Sequence, residues 1–79
     1  METKLVFEYD RVGDILHVTK VAPYAAQETE EIAEDVLARL NPATREVEGL
    51  EILFWSRRLD AGEDVSLPVD AHLRLAVEA

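Results

Sequence analysis

The stretch Glu28-Thr-Glu-Glu-Ile-Ala-Glu-Asp-Val-Leu-Ala-Arg-Leu40 decides the architecture, because it can be read in two ways. As a helix, Thr29 is the N-cap, acidic residues fill the first turn, Ile32, Val36, Leu37 and Leu40 form an apolar stripe, and Asn41-Pro42 is the stop. As a strand, Val36, Ala38 and Leu40 face inward, and Asn41 to Arg45 turns the chain into the next strand. Local propensity favours the helix.

The segment that follows is unambiguous. Val47 to Trp55 reads as a strand with Leu50, Ile52 and Phe54 on one face and Val47, Leu53 and Trp55 on the other. A strand apolar on both faces is central, or is covered on its second face by another element or subunit. Ser56-Arg57-Arg58 and Asp60 to Asp64 then read as a polar loop. On the other side, Lys4 to Asp10 and Asp14 to Val21 are two strands around Arg11-Val12-Gly13, which makes a hairpin. Its register sets Leu5, Phe7 and Tyr9 on the face of Leu16 and Val18. Pro23 keeps Ala22 to Ala26 out of any central strand. At the C-terminal end Val65, Leu67, Val69, Ala71, Leu73, Leu75 and Val77 alternate with mostly polar residues. This predicts an edge strand, or two short strands with a bend, against a minority reading as a helix starting at Pro68.

The order Tyr9-Asp10, then Asp14-Ile15-Leu16-His17-Val18, then Val47-Glu48-Gly49-Leu50-Glu51-Ile52-Leu53 resembles a short bacterial family catalogued as domain of unknown function 2283. The resemblance runs from Val6 to Arg58. It implies that Ala33 to Leu40 pairs with Val47 to Trp55 as a second hairpin, against local propensity. The family's turn before the last strand is richer in Gly and Asp than Asn41 to Glu46, so the register of this hairpin does not follow from the resemblance. The fold expected is mainly β (or α+β): an antiparallel sheet of two hairpins, about four or five strands, with at most one short helix. Residues 1–79 are expected to be a single domain.

Composition limits the function. The chain has 79 residues, no cysteine, and 17 acidic against 8 basic side chains, a net charge of −9. A domain of this size has room for one small core and usually needs a staple such as a disulfide, a metal or a partner subunit. Without cysteine, disulfides and thiolate metal sites are excluded. The acidity repels nucleic acid and suits either solubility or a basic partner. No apolar run is long enough to span a bilayer, and Met1 to Lys4 lacks a signal-peptide layout, so a cytoplasmic location without membrane association is expected.

The side chains that could carry chemistry are sparse. Thr19 is the one hydroxyl near a histidine, His17, and the sequence supplies no acid to orient that pair. His17, His72, Asp10, Asp14 and Glu51 are metal-ligand types at spacings that match no signature, so no cofactor is expected. Asp10 and Asp14 flank the first hairpin loop, where aspartates bond backbone N–H groups as Asx turns. Arg57 and Arg58 beside Trp55 suit a cation–π contact or an ion pair with the Asp60/Glu63/Asp64 loop better than a nucleic-acid footprint.

Two surfaces remain. Leu53, Trp55, Leu73 and Leu75 form a candidate oligomer surface, the basis for expecting a non-enzymatic, homo-oligomeric interaction domain. Glu28, Glu30, Glu31, Glu34 and Asp35 form a candidate surface for a basic protein partner. The resemblance adds the idea of an antitoxin-like inhibitor of a basic RNA-cleaving toxin, because similar small domains are associated with genes for such toxins. A metal-dependent enzyme using His17 and its acidic neighbours is the remaining alternative.

Overall fold

A computed structural model of the chain describes residues 4–62 and 64–76. Five strands, β1 (Val6–Asp10), β2 (Ile15–Thr19), β3 (Glu28–Ala33), β4 (Val36–Leu40) and β5 (Val47–Leu53), precede one short helix, α1 (Trp55–Ala61). The strands make a single antiparallel sheet in the order β1-β2-β5-β4-β3. The expectation of a mainly β, antiparallel domain with one short helix is therefore met, and β5 is the central strand.

The stretch 28–40 is not helical but two strands joined by a tight turn. Ala33 pairs with Val36, so only Glu34 and Asp35 form the turn, with Asp35 in the left-handed region at φ 58°. Packing overrides helix propensity here. Val36, Ala38 and Leu40 alternate onto one face and, with Val18 and Ile52, make up the buried apolar core. A helical stripe would have left Ala38 out of it. The β4–β5 hairpin implied by the family resemblance is present. Its register shifts at Arg39/Leu40, so that Leu40 faces Val47 and Arg39 faces Gly49. Such a bulge accommodates the long loop at Asn41 to Glu46.

The first hairpin has the expected pairs, Phe7 with Val18 and Tyr9 with Leu16. Asp10 closes it as an Asx turn, its Oδ1 accepting from the N–H groups of Val12 at 3.0 Å and Gly13 at 3.1 Å. Residues 20–27 then cross from β2 to β3, past the ends of β5 and β4, and the sheet is completed when β5 returns to pair with β2.

Three expectations are corrected. Trp55 begins α1 and does not end the strand, because Phe54 takes a left-handed conformation (φ 55°) and breaks the alternation. Residues up to Ala61 are consequently helical where a polar loop was expected. The second face of β5 is also less apolar than its ends suggest, since Gly49 and Glu51 stand on it with Leu53 and the bulge moves Val47 to a place opposite Leu40.

The third correction concerns 65–77, of which Val77 lies outside the described residues. From 65 to 76 the segment forms neither strand nor helix. Val65, Leu67 and Val69 are half-buried and alternate with exposed neighbours, so the period of two survives in burial. Beyond them, Val69 to Ala76 run beside Leu5, Val18, Val47 and Leu50. The segment is thus extended over a sheet face, without a free strand edge to complete a ladder.

Val36 is 1% exposed between two paired strands. Val36→Ala removes about two methylene equivalents and leaves a void, which is expected to cost about 2 kcal/mol. Urea denaturation with an unchanged m-value tests this.

Candidate functional site

The β5 bulge places Glu48 where three segments meet. Its carboxylate is 8% exposed as part of the residue and accepts three hydrogen bonds. Tyr24 donates its hydroxyl at 2.5 Å, Gln27 its amide at 3.1 Å and Asn41 its amide at 3.3 Å. The Glu48 carbonyl oxygen accepts from the N–H groups of Lys20 and Val21, both at 3.0 Å. One residue thereby anchors both the 20–27 crossing and the 41–46 loop. The bonds from Tyr24 and Gln27 hold the Glu48 carboxyl below its ordinary pKa, and the same bond pushes the Tyr24 phenol up to about 12.

Asp14 plays a similar part at the other end of the sheet. It sits in the left-handed region at φ 57°, and its carboxylate accepts from the Tyr9 hydroxyl at 2.6 Å, the Ser56 hydroxyl at 2.7 Å and the Ser56 N–H at 3.0 Å. Phe54, at the N-cap position of α1, offers no side-chain acceptor, so Asp14 caps the helix from a different hairpin. These bonds, Tyr9 first, lower its pKa. Asp10 makes the expected Asx turn, whereas Asp14 bonds no N–H of the hairpin loop and is committed to Tyr9 and to the start of α1.

His17 and Glu51 stand opposite each other on β2 and β5, with Nδ1 to Oε2 at 3.4 Å. The acid that the sequence did not supply is thus present. It makes no triad. The Thr19 hydroxyl is the acceptor for Arg39 Nη2 at 3.0 Å, and no hydrogen bond joins Thr19 to His17 among the described residues. Also among the described residues, no group of three or more His, Asp or Glu side chains is arranged to hold a metal ion. His72 lies apart, on the C-terminal segment.

The acidic surface is divided by strand geometry. Glu28 and Glu30 share a face of β3 and are both held by Arg45, through Nη1 at 2.8 Å and Nη2 at 3.0 Å. Glu31 points to the opposite face, being across from Leu37. Glu34 and Asp35 form the β3–β4 turn, where the Glu34 carbonyl accepts from Arg58 Nη2 at 2.7 Å and the Asp35 carbonyl from the Leu53 N–H at 2.9 Å. The arginine pair is used internally as well. Arg57 lies 5.1 Å from the ring centre of Phe54, so a cation–π contact exists, with Phe54 and not Trp55 as its partner.

The candidate oligomer residues are not brought together either. Leu73 (78% exposed) and Leu75 (92%) border an open groove of about 970 Å³ with Leu5, Val18, Val47 and Leu50. Leu53 and Trp55 are at the other end of β5, half-buried at the start of α1. Leu5 and Phe7, expected on the face of Leu16 and Val18, are 46 and 62% exposed, as is Val6 at 53%, so the apolar side chains in and beside β1 form an exposed patch that the candidate oligomer surface did not include. A regular hairpin pattern gives no sign of which of its strands will have a second neighbour. Glu48 and Arg39 were also passed over. The available signal was a charged residue inside each of two otherwise apolar runs.

Compared with known proteins, the chain matches no family model, no curated protein and no solved structure. No helix among the described residues is long and apolar enough to cross a membrane.

The carboxyl shifts have a definite sign. Glu48 and Asp14 titrate below 4.5 and 3.8 in the folded protein, so as the pH falls the unfolded chain takes up protons first. Their contribution is complete above those values and is lost as the pH drops through the folded pKa values. Urea midpoints are expected to hold between about pH 7 and pH 5 and to fall below about pH 4. Glu48→Gln is expected to be less stable at neutral pH but to show a shallower acid loss.

Tyr24 has the opposite sign, contributing stability below pH 10.0 that is lost as the pH rises through about 12. Absorbance titration is expected to show tyrosinate appearing late, with the step near 12 absent in Tyr24→Phe.

Proposed function

We propose that this chain is a non-enzymatic interaction domain that self-associates by pairing β1 with β1 of a second copy. The observation that carries this reading is the contrast between the two edges of the sheet. β3 has the features that block edge pairing: glutamates along its length, an arginine clamp on two of them, and a register shift between Glu31 and Ala33. β1 has no register shift and no arginine clamp, carries a single glutamate in Glu8, and exposes all five of its residues. Among the described residues no strand pairs with its outer side, which is bordered by apolar Leu5, Val6 and Phe7. Antiparallel pairing about a two-fold axis would make a continuous ten-stranded sheet, a closed isologous dimer. Leu73 and Leu75, exposed beside Leu5, extend the apolar surface that such pairing would cover. A partner subunit would also serve as the staple that a cysteine-free chain of this size otherwise lacks.

The alternative reading, neutralisation of a basic toxin by the acidic segment, draws less support from the geometry. Two of its five carboxylates already have an internal cation in Arg45, and Glu31 is on a different face from them.

Light scattering coupled to size exclusion tests the proposal. The expected result is a dimer at micromolar concentration that becomes a monomer of unchanged circular dichroism in Phe7→Glu. A wild-type monomer under these conditions would overturn it. Charge reversal at Glu31 and Glu34 is expected to leave the dimer intact.

A further inference from the structure

Arg39 is on β4, one strand in from the sheet edge, and is only 8% exposed. Its guanidinium reaches across β5 to β2, where Nη2 donates to Thr19 Oγ1 at 3.0 Å. The crossing is possible because residue 49 is glycine. A Cβ there would lie 2.6 Å from Arg39 Nε and 2.7 Å from Cζ, so the guanidinium rests directly on the β5 backbone.

The remaining bonding of this cation is incomplete. Nε is buried and has no acceptor. Among the described residues no carboxylate forms an ion pair with Arg39, in a chain with 17 acidic side chains. Glu51, the nearest acidic residue in the adjoining cross-strand row, is engaged by His17. Charged groups held this far out of water are paired in folded proteins, since an uncompensated buried charge is strongly destabilising.

The surroundings of Arg39 complete a polar row across the sheet. Thr29 is opposite it on β3, and Gly49 and Thr19 are on its other side. The guanidinium thus lies over Gly49 with the Thr19 hydroxyl at its tip, while Thr29 stands on the other side of the Arg39 backbone. We propose that Arg39 and Thr19 form a binding site for the carboxylate of a small organic ligand. A guanidinium fork matches the two oxygens of a carboxylate, and the Thr19 hydroxyl, which accepts from Arg39, can donate its own proton to one of them. A single cation suits a single negative charge. A dianion such as phosphate is disfavoured by Glu31 and Glu51 in the next row and by the net charge of −9. The site lies across β4, β5 and β2, uses no residue of β1, and does not depend on self-association.

The test is an amide NMR titration of the full chain with sodium acetate at constant ionic strength, balanced with chloride. The expected result is a saturable shift of the Thr19 and Gly49 backbone amides and of the Arg39 Nε–H, with a dissociation constant in the millimolar range. Arg39→Lys, which keeps the charge but loses the fork, is expected to weaken binding at least tenfold. Thr19→Val, which keeps the shape but loses the hydroxyl, is expected to weaken it about threefold, and Thr29→Val, on the far side of Arg39, to leave it unchanged; the wild-type titration by itself keeps the test decisive if Arg39→Lys does not fold. Shifts no larger than those in chloride would overturn the site. Inorganic phosphate binding as tightly as acetate would overturn the carboxylate assignment. Resonances already saturated without acetate, and changing on protein dilution, would mean that a second copy supplies the carboxylate, and would overturn the small-ligand proposal.

Discussion

The hydrogen-bonded carboxylate of Glu48 is the constraint on which the sheet depends. The topology requires a connection to pass from β2 to β3 over two intervening strands, and nothing in residues 20–27 forms regular structure to hold it there. Tyr24 and Gln27 from that connection, and Asn41 from the β4–β5 loop, converge on the one side chain that the β5 bulge turns toward them. A buried carboxylate is costly unless its lone pairs are occupied. Here they are occupied by the segments that need fixing, so the cost of burial enforces the topology. A chain that failed to bring Tyr24 across would leave the Glu48 carboxylate without its shortest hydrogen bond at the end of the central strand.

Asp14 repeats this arrangement at the far end of β5. It joins the β1–β2 turn to neighbouring Tyr9 and to the first turn of α1, which lies far away in sequence. The helix has no buried residue of its own, and Arg58 bonds the carbonyls of Leu53 and Glu34. Its position therefore comes from polar contacts at its ends. With five apolar residues buried among those described, the domain relies on such buried or shielded polar ties to a degree that larger domains do not.

Much of the sheet was legible in the sequence, and its gaps have a common physical origin. The first hairpin and β5 were readable from alternation, and the register of Phe7 with Val18 follows from it directly. The turn at Glu34-Asp35 was not, because tight turns announce themselves through glycine or asparagine, and Asp14, Asp35, Arg45 and Phe54 take left-handed conformations without either. Phe54 was the most misleading, since an aromatic residue in an apolar run reads as continued strand. The alternation of 65–77 is a real record of burial, visible at Val65, Leu67 and Val69. Periodicity reports which side of a segment is covered, and does not report whether its backbone has a neighbour to bond. For the same reason Leu73 and Leu75 could be singled out as exposed apolar residues while Leu5 and Phe7 could not. The five acidic residues looked like one surface in the sequence because a strand's two faces are interleaved there.

The unequal edges of the sheet set a limit on growth. A sheet with two open edges can add copies without end, which is the geometry of fibrils. One whose outer strand on one side is kinked and covered with carboxylates can be extended only from the other. Pairing two copies through β1 would leave both outer ends of the enlarged sheet with β3. Termination is therefore built into the monomer, and a small, acidic, sheet-rich chain can carry an open strand without becoming a seed for aggregation.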